Sequence, residues 1–104
     1  MDIDAEKLGN TVRTIRRAHG LKQRELAKMA GISPSYLSLL ENGKRGFAVE
    51  HLSDVAKCLN TEAYILTFLA TPPHKSNDEL ENRLMTSIRE MAEDYFARVA
   101  AFDR

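Results

Sequence analysis

The chain has 104 residues, of which 43% are hydrophobic and 29% charged, with three prolines, five glycines and one cysteine. That length suits one compact domain with an appendage, and no apolar run approaches the roughly 18–20 residues needed to span a membrane. The opening MDIDAEK is acidic and polar, unlike a secretory signal, and a lone Cys58 leaves no internal disulfide and fits a reducing cytoplasm.

Formal net charge is zero, but the charge is unevenly spread. Between Lys7 and Arg45, nine basic side chains face only Glu25 and Glu41, whereas residues 61–104 carry eight acidic and five basic ones. A basic front and an acidic tail direct an anionic partner to the front half. His19, His51 and His74 are too far apart to form a local ligand pair, and there is no second cysteine, so no metal or cofactor is expected.

The pattern is helical throughout. A first helix is expected over about Asp4 to His19, capped by Asp4, striped by Leu8, Val12 and Ile15, and ended at Gly20. A second runs from Gln23 to Gly31. Its cap position falls on Lys22, whose charge opposes the helix dipole, and broken local rules tend to mark a site. The third is well signalled by Ser33 as N-cap, Pro34 at the first position and Asn42-Gly43 at the close. A fourth is expected over Val49 to Leu59 and a fifth over Thr61 to Ala70, ended by Thr71-Pro72-Pro73. Cys58 reads as a small apolar helix residue.

Residues 71–77 read as a linker between a domain at 1–70 and a tail at 78–104. Ser76 and Glu79 then suggest a capping box before a long helix reaching Phe102, about 39 Å at 1.5 Å per residue. Its apolar residues Leu80, Leu84, Ile88, Met91, Tyr95, Val99 and Phe102 repeat over 11 residues rather than seven, which disfavours a left-handed coiled coil. Met85, Ala92 and Phe96 widen the stripe. Two arrangements remain open: the tails of two chains pack together and against the fifth helix, through Tyr64, Leu66, Phe68 and Leu69, or the tail folds back on its own domain.

The stretch GISPSYLSLLENG raises the question of function. Two helices too short to be stable alone, joined by a glycine turn, match a helix-turn-helix, whose second helix can enter the DNA major groove. Ile32, Leu37 and Leu40 point inward, leaving Pro34, Ser35, Tyr36, Ser38 and Leu39 outward or sideways. Outward residues near the start of such a helix are placed to reach base edges.

KQRELAKMAGISPSYLSLLENGKR resembles the phage repressor/Cro-type, or XRE, helix-turn-helix family. The resemblance covers about residues 7–69 and rests on Gln23, Leu26-Ala27, Gly31, Ser33, Tyr36-Leu37 and Glu41-Asn42-Gly43 in combination. It implies an all-α, five-helix lambda-repressor-like domain, here followed by a long amphipathic C-terminal helix. It also implies that Pro34, Ser35 and Leu39 hold base-reading positions, with Tyr36 and Ser38 beside them. Lys22, Gln23, Asn42, Lys44 and Arg45 would contact phosphates, and Arg16 and Glu41 would form a structural ion pair.

Some positions depart from the pattern. Pro34 has no N–H to donate and Leu39 offers only apolar contact, for instance to thymine methyl groups. Polar base contacts therefore reduce to Ser35 and few others, and binding would lean on phosphates and DNA shape. The loop GKRGFAVEHL also lacks the proline common before the fourth helix.

Three functional classes stand against this pattern. The first is a sequence-specific transcriptional regulator, a repressor that binds double-stranded DNA as a homodimer on a pseudo-palindromic operator. The second is an antitoxin-like module whose C-terminal helix binds another protein while the domain controls its own operon. The third is an enzyme, which nothing supports: there are no clustered carboxylates, no nucleophile near a histidine and no glycine-rich phosphate loop.

Overall fold

The structure is a computed structural model and describes residues 4–71 and 75–101. The described residues form six helices and no strand: α1 Ala5–Ala18, α2 Gln23–Ala30, α3 Pro34–Glu41, α4 Val49–Cys58, α5 Ala63–Ala70 and α6 Glu79–Ala100. The all-α expectation holds. Pro72 and Pro73 of the linker, His74, and Phe102 at the expected end of the tail helix lie outside the described residues.

Helix α1 starts where Asp4 Oδ1 accepts the Lys7 N–H at 3.1 Å, satisfying one of the free donors of the first turn. The Asp4 N–H in turn donates to the Ala70 carbonyl at 3.2 Å, tying the start of α1 to the end of α5. Leu8, Val12 and Ile15 form the expected stripe and are buried. They meet Leu26, Ala27, Leu37, Leu52, Val55, Leu59 and Leu66 in one core shared by α1 to α5. Helix α1 packs on α3 and α5, while α2 packs on α3 and α4.

Three turns set the geometry. Gly20, Gly31 and Gly43 end α1, α2 and α3 in the left-handed region, each with φ between 71° and 73°. After α2, the Ile32 N–H reaches back to the Ala27 carbonyl at 2.9 Å, making a compact turn into α3. Asn60 adopts the same conformation, with φ 57°, and Asn tolerates it better than most side chains. This turn moves two boundaries. Helix α4 stops at Cys58, with Leu59 buried as its cap residue, and α5 starts at Ala63 because Glu62 is extended.

The tail departs from expectation at its start. Asp78, not Ser76, is the N-cap of α6, its carboxylate accepting the Leu80 and Glu81 N–H groups. Ser76 Oγ instead accepts the Asp78 N–H, and the Asn82 side chain bonds both the N–H and the carbonyl of Ser76. A carboxylate one step from the helix makes a shorter and charge-favoured cap, so Asp78 displaces the serine.

Helix α6 rests on α1 and α5. Phe96 and Val99 pack against the core, so Val99, expected with the rest of the stripe to serve a contact between tails, faces its own domain instead. The Arg89 guanidinium sits over the Phe68 ring, 4.5 Å from its centroid. Leu66, expected to offer surface to the tail, belongs to the five-helix core, whereas Leu69 is buried with α6 in place and Tyr64 stays exposed. Only part of the α6 stripe is covered: Leu80, Leu84, Met85, Ile88, Met91 and Tyr95 stay exposed.

Candidate nucleic-acid interface

Ser33 opens α3 with its Oγ accepting the Tyr36 N–H at 3.1 Å, and Pro34 occupies the first helical position, where no N–H is needed. Buried Leu37 and Leu40 fix one face of α3 to the core. Pro34, Ser35 and Leu39 consequently lie on the exposed face, with Ser38 and Tyr36 half-buried at its sides. A helix so anchored presents its first turn and a half to solvent as a fixed relief.

What anchors the far end of α3 is a buried charge. Glu41 is 1% exposed, and its carboxylate accepts two bonds from Arg16, at 2.8 Å from Nε and 3.0 Å from Nη2. Gln23 Nε2 adds a third donor at 2.9 Å, and Arg16 Nη1 spans to the Leu21 carbonyl at 2.7 Å. The carboxylate thus ties the end of α3 to α1 and to the start of α2, and Arg16 extends the link to the α1–α2 turn. Such a pair contributes little net stability over an apolar equivalent, but losing one partner leaves a buried charge uncompensated. Its value here is to fix the angle of α3.

Arg13 completes the arrangement. It donates to the Glu41 carbonyl at 2.9 Å and to Asn42 Oδ1 at 2.6 Å, while Asn42 Nδ2 donates to the Ser38 carbonyl at 2.9 Å. Sequence reasoning assigned Arg13 no role, although its place one turn before Arg16 on α1 puts the two on neighbouring faces. Gly9 was also missed. It lies where α1 meets the end of α3, and a Cβ there would stand 2.6 Å from the Glu41 carbonyl oxygen. The available signal was a glycine placed within an apolar helical stripe.

The residues assigned to phosphates divide by position. Lys22 is exposed at the start of α2, where its own N–H donates to the Glu25 carboxylate at 2.8 Å. Gln23 beside it is half-buried and already gives one N–H to Glu41, leaving its other N–H and its carbonyl. Lys44 and Arg45 are exposed just after α3, where the Lys44 N–H bonds the Leu39 carbonyl and holds the loop to the helix. Asn42 is exposed between Ser38 and Arg13. Gln23, with Lys22 beside it, and Asn42 and Lys44 thus gather cationic and N–H-bearing groups around the Glu41 end of α3, while Arg45 reaches back to Tyr36 in its first turn.

Tyr36 lies sideways on α3 and turns its hydroxyl toward α4. Its oxygen lies 3.2 Å from His51 Nδ1 on α4, the two rings meet edge-on at 5.3 Å, and the Arg45 guanidinium lies 5.3 Å from the Tyr36 ring centroid. No sequence signal marked His51 as part of this surface.

Elsewhere the chemistry is sparse. Burial, and then the charge of Asp54, push the Cys58 thiol above its ordinary value, which disfavours the reactive thiolate. Among the described residues no group of three or more His, Cys, Asp and Glu side chains could hold a metal ion, and no helix is long and apolar enough to cross a membrane.

Comparison with known proteins adds to this geometry. The family model described as helix-turn-helix matches residues 5–66. The chain is 38% identical over 64 residues to the ImmF control region 10 kDa protein of Bacillus phage phi105, a match spanning 62% of this chain and 71% of that protein. It is 34% identical over 87 residues to the HTH-type transcriptional regulator RamB of Mycobacterium tuberculosis, but those residues, 84% of this chain, correspond to only 16% of RamB. The crystal structure of the clp gene regulator ClgR from Corynebacterium glutamicum superimposes with a TM-score of 0.62 at 27% identity, over 88% of this chain and 89% of that one. With α2, the Gly31 turn and α3 in place and the family model matched along more than half its length, the chain belongs to the XRE-type helix-turn-helix family of DNA-binding transcription regulators.

Proposed function

We propose that the protein is a repressor that occludes a promoter by binding a pseudo-palindromic operator as a homodimer, with α3 in the major groove. The observation that carries this reading is the exposed first turn and a half of α3, held at a fixed angle by the buried Glu41 and flanked by Lys22, Lys44 and Arg45. Ser35 is the polar base reader, Leu39 and Pro34 make apolar contacts in the groove, and Tyr36 and Ser38 line its sides. Lys22, Gln23, Asn42, Lys44 and Arg45 contact phosphates and set the register. The protein works in the cytoplasm, without a cofactor and without catalysis.

A homodimer is supported by the exposed row Leu80, Leu84, Ile88, Met91 and Tyr95 on α6, since contiguous apolar surface of this kind marks interaction sites. Residues 1–70 act as the DNA-binding domain, 71–77 as a linker, and 78–104 as the dimerisation element, which would place two α3 helices on half-sites about one helical turn apart. The same exposed row favours a second reading, in which α6 binds another protein and the domain controls its own operon.

Fluorescence anisotropy with the DNA upstream of its own gene and with a shuffled duplex, at about 50 and 200 mM salt, tests the reading. A specific regulator binds the first duplex selectively at both salts. Equal binding that collapses at the higher salt is the signature of phosphate contacts alone, and would favour the partner-binding reading of α6.

A further inference from the structure

We propose that His51 is a positioning residue for DNA binding: through the Tyr36 ring it sets the orientation of Arg45 toward a phosphate. This rests on the reading that α3 enters the groove and Arg45 meets the backbone beside it.

The three side chains come from three places. Tyr36 stands on the first turn of α3, its N–H held by the Ser33 cap at 3.1 Å. Arg45 lies in the loop between α3 and α4, and His51 lies in the first turn of α4. The Tyr36 hydroxyl is 3.2 Å from His51 Nδ1, and donates to it when the imidazole proton is on Nε2. With the rings edge-on at 75°, this contact restricts both Tyr36 torsions. The ring is half-buried, and the Arg45 guanidinium lies 5.3 Å from its centroid.

A guanidinium over an aromatic face keeps its N–H edge free. That edge suits a phosphate, whose oxygens accept two parallel bonds. An exposed arginine otherwise samples many rotamers, and ordering it on DNA costs affinity. His51 reduces that cost by steadying the platform on which Arg45 rests, although it need not touch DNA itself. The Tyr36 hydroxyl is then used for geometry, which leaves base reading on this side of α3 to Ser35.

The test compares wild type with Arg45→Ala, His51→Leu, His51→Gln and the double variant His51→Leu/Arg45→Ala. Anisotropy titrations use the upstream duplex and a shuffled duplex between 50 and 200 mM salt, with thermal melts to confirm folding. Arg45→Ala should weaken both duplexes and reduce the slope of log K against log salt by about 0.9, the loss of one phosphate contact. His51→Leu should weaken both by about two- to fivefold, the scale of one net hydrogen bond or exposed cation–π contact, and shift the slope toward that of Arg45→Ala. It should add nothing in the double variant. His51→Gln, whose carbonyl can accept from Tyr36, should recover most of the loss.

If the His51→Leu and Arg45→Ala effects multiply, or if His51→Leu lowers the melting temperature and leaves the slope unchanged, the inference is overturned while the groove reading stands. If wild type itself binds neither duplex in a salt-dependent way, the groove reading fails and the inference fails with it.

Discussion

Gly9 of α1 lies directly against the Leu40 carbonyl at the end of α3, and a methyl group on it would also stand 2.6 Å from the Glu41 carbonyl oxygen. A glycine inside a helix is normally a weakness, so replacing it with alanine should stabilise by up to about 1 kcal/mol. Here the contact reverses the sign. Gly9→Ala must push α1 and α3 apart, at an overpacking cost of about 1–3 kcal/mol. Thermal melts should show a Tm lowered by about 4 °C or more. Gly46→Ala, with open space around it, is the control and should leave Tm nearly unchanged. An unchanged Gly9→Ala protein would mean the α1–α3 approach is looser than described.

Glu41 stands at the junction of α1, α2 and α3, and its removal should be felt across all three. Glu41→Gln keeps the shape but leaves the Arg16 guanidinium buried without a counter-charge, a loss of about 3–5 kcal/mol. Replacing both partners, Arg16→Met with Glu41→Leu, should recover much of that loss. Urea denaturation of Arg16→Met, Glu41→Leu and the double variant measures the coupling. Additive losses would show that the two side chains are not coupled to each other, so that the pair does not hold α3 to α1.

Cys58 should be a slow thiol. Its burial and the neighbouring Asp54 raise its pKa, so at pH 8 a smaller fraction is thiolate than in an unfolded chain. Iodoacetamide labelling should be several-fold slower in the native protein than in urea, and the gap should narrow as pH rises through the raised value. Labelling faster than an unfolded thiol would mean that an activating group acts on Cys58.

Much of this arrangement could be read from residues close together in sequence. Ser33, Pro34 and Asn42-Gly43 delimit α3 because caps and turns are local chemistry, and Gly31 with the Leu26–Leu40 pattern placed the tight turn. The Arg16–Glu41 pair was legible only through the family resemblance, since the partners are 25 residues apart. Arg13 and His51 were not legible, because each gains its meaning from a partner on another helix, and Gly9 showed only as a glycine within an apolar stripe, with nothing local to say which helix approaches it. The Asp78 cap was misplaced for a different reason: Ser76 and Asp78 both suit an N-cap, and only the path of the chain around Asn82 decides between them.

Base and phosphate roles separate by what a substitution changes. Ser35→Ala removes an exposed hydroxyl from the first turn of α3 and should reduce the preference for the operator over a shuffled duplex, at about 1 kcal/mol or slightly more for one base contact. Lys44→Ala should weaken both duplexes alike and lower the salt slope by about 0.9. Competition titrations at two salt concentrations measure both. The reverse pattern, with Lys44 controlling preference and Ser35 controlling the salt slope, would overturn the assignment.

The face of α6 should divide into an inner and an outer function. Phe96 packs against the domain's own core, so Phe96→Ala should destabilise the monomeric fold by about 1–3 kcal/mol. Leu84 and Ile88 are 58% and 40% exposed, so glutamates there cost the fold little but put like charges into any α6–α6 contact. Leu84→Glu with Ile88→Glu should convert a dimer to a monomer in sedimentation at micromolar concentration while helical circular dichroism is kept. Binding to a duplex with two half-sites should then fall to the affinity for one, because linked half-sites owe their gain to effective concentration alone. If wild type sediments as a monomer with and without DNA, the outer row serves another protein, and the same double variant becomes the means of losing that partner.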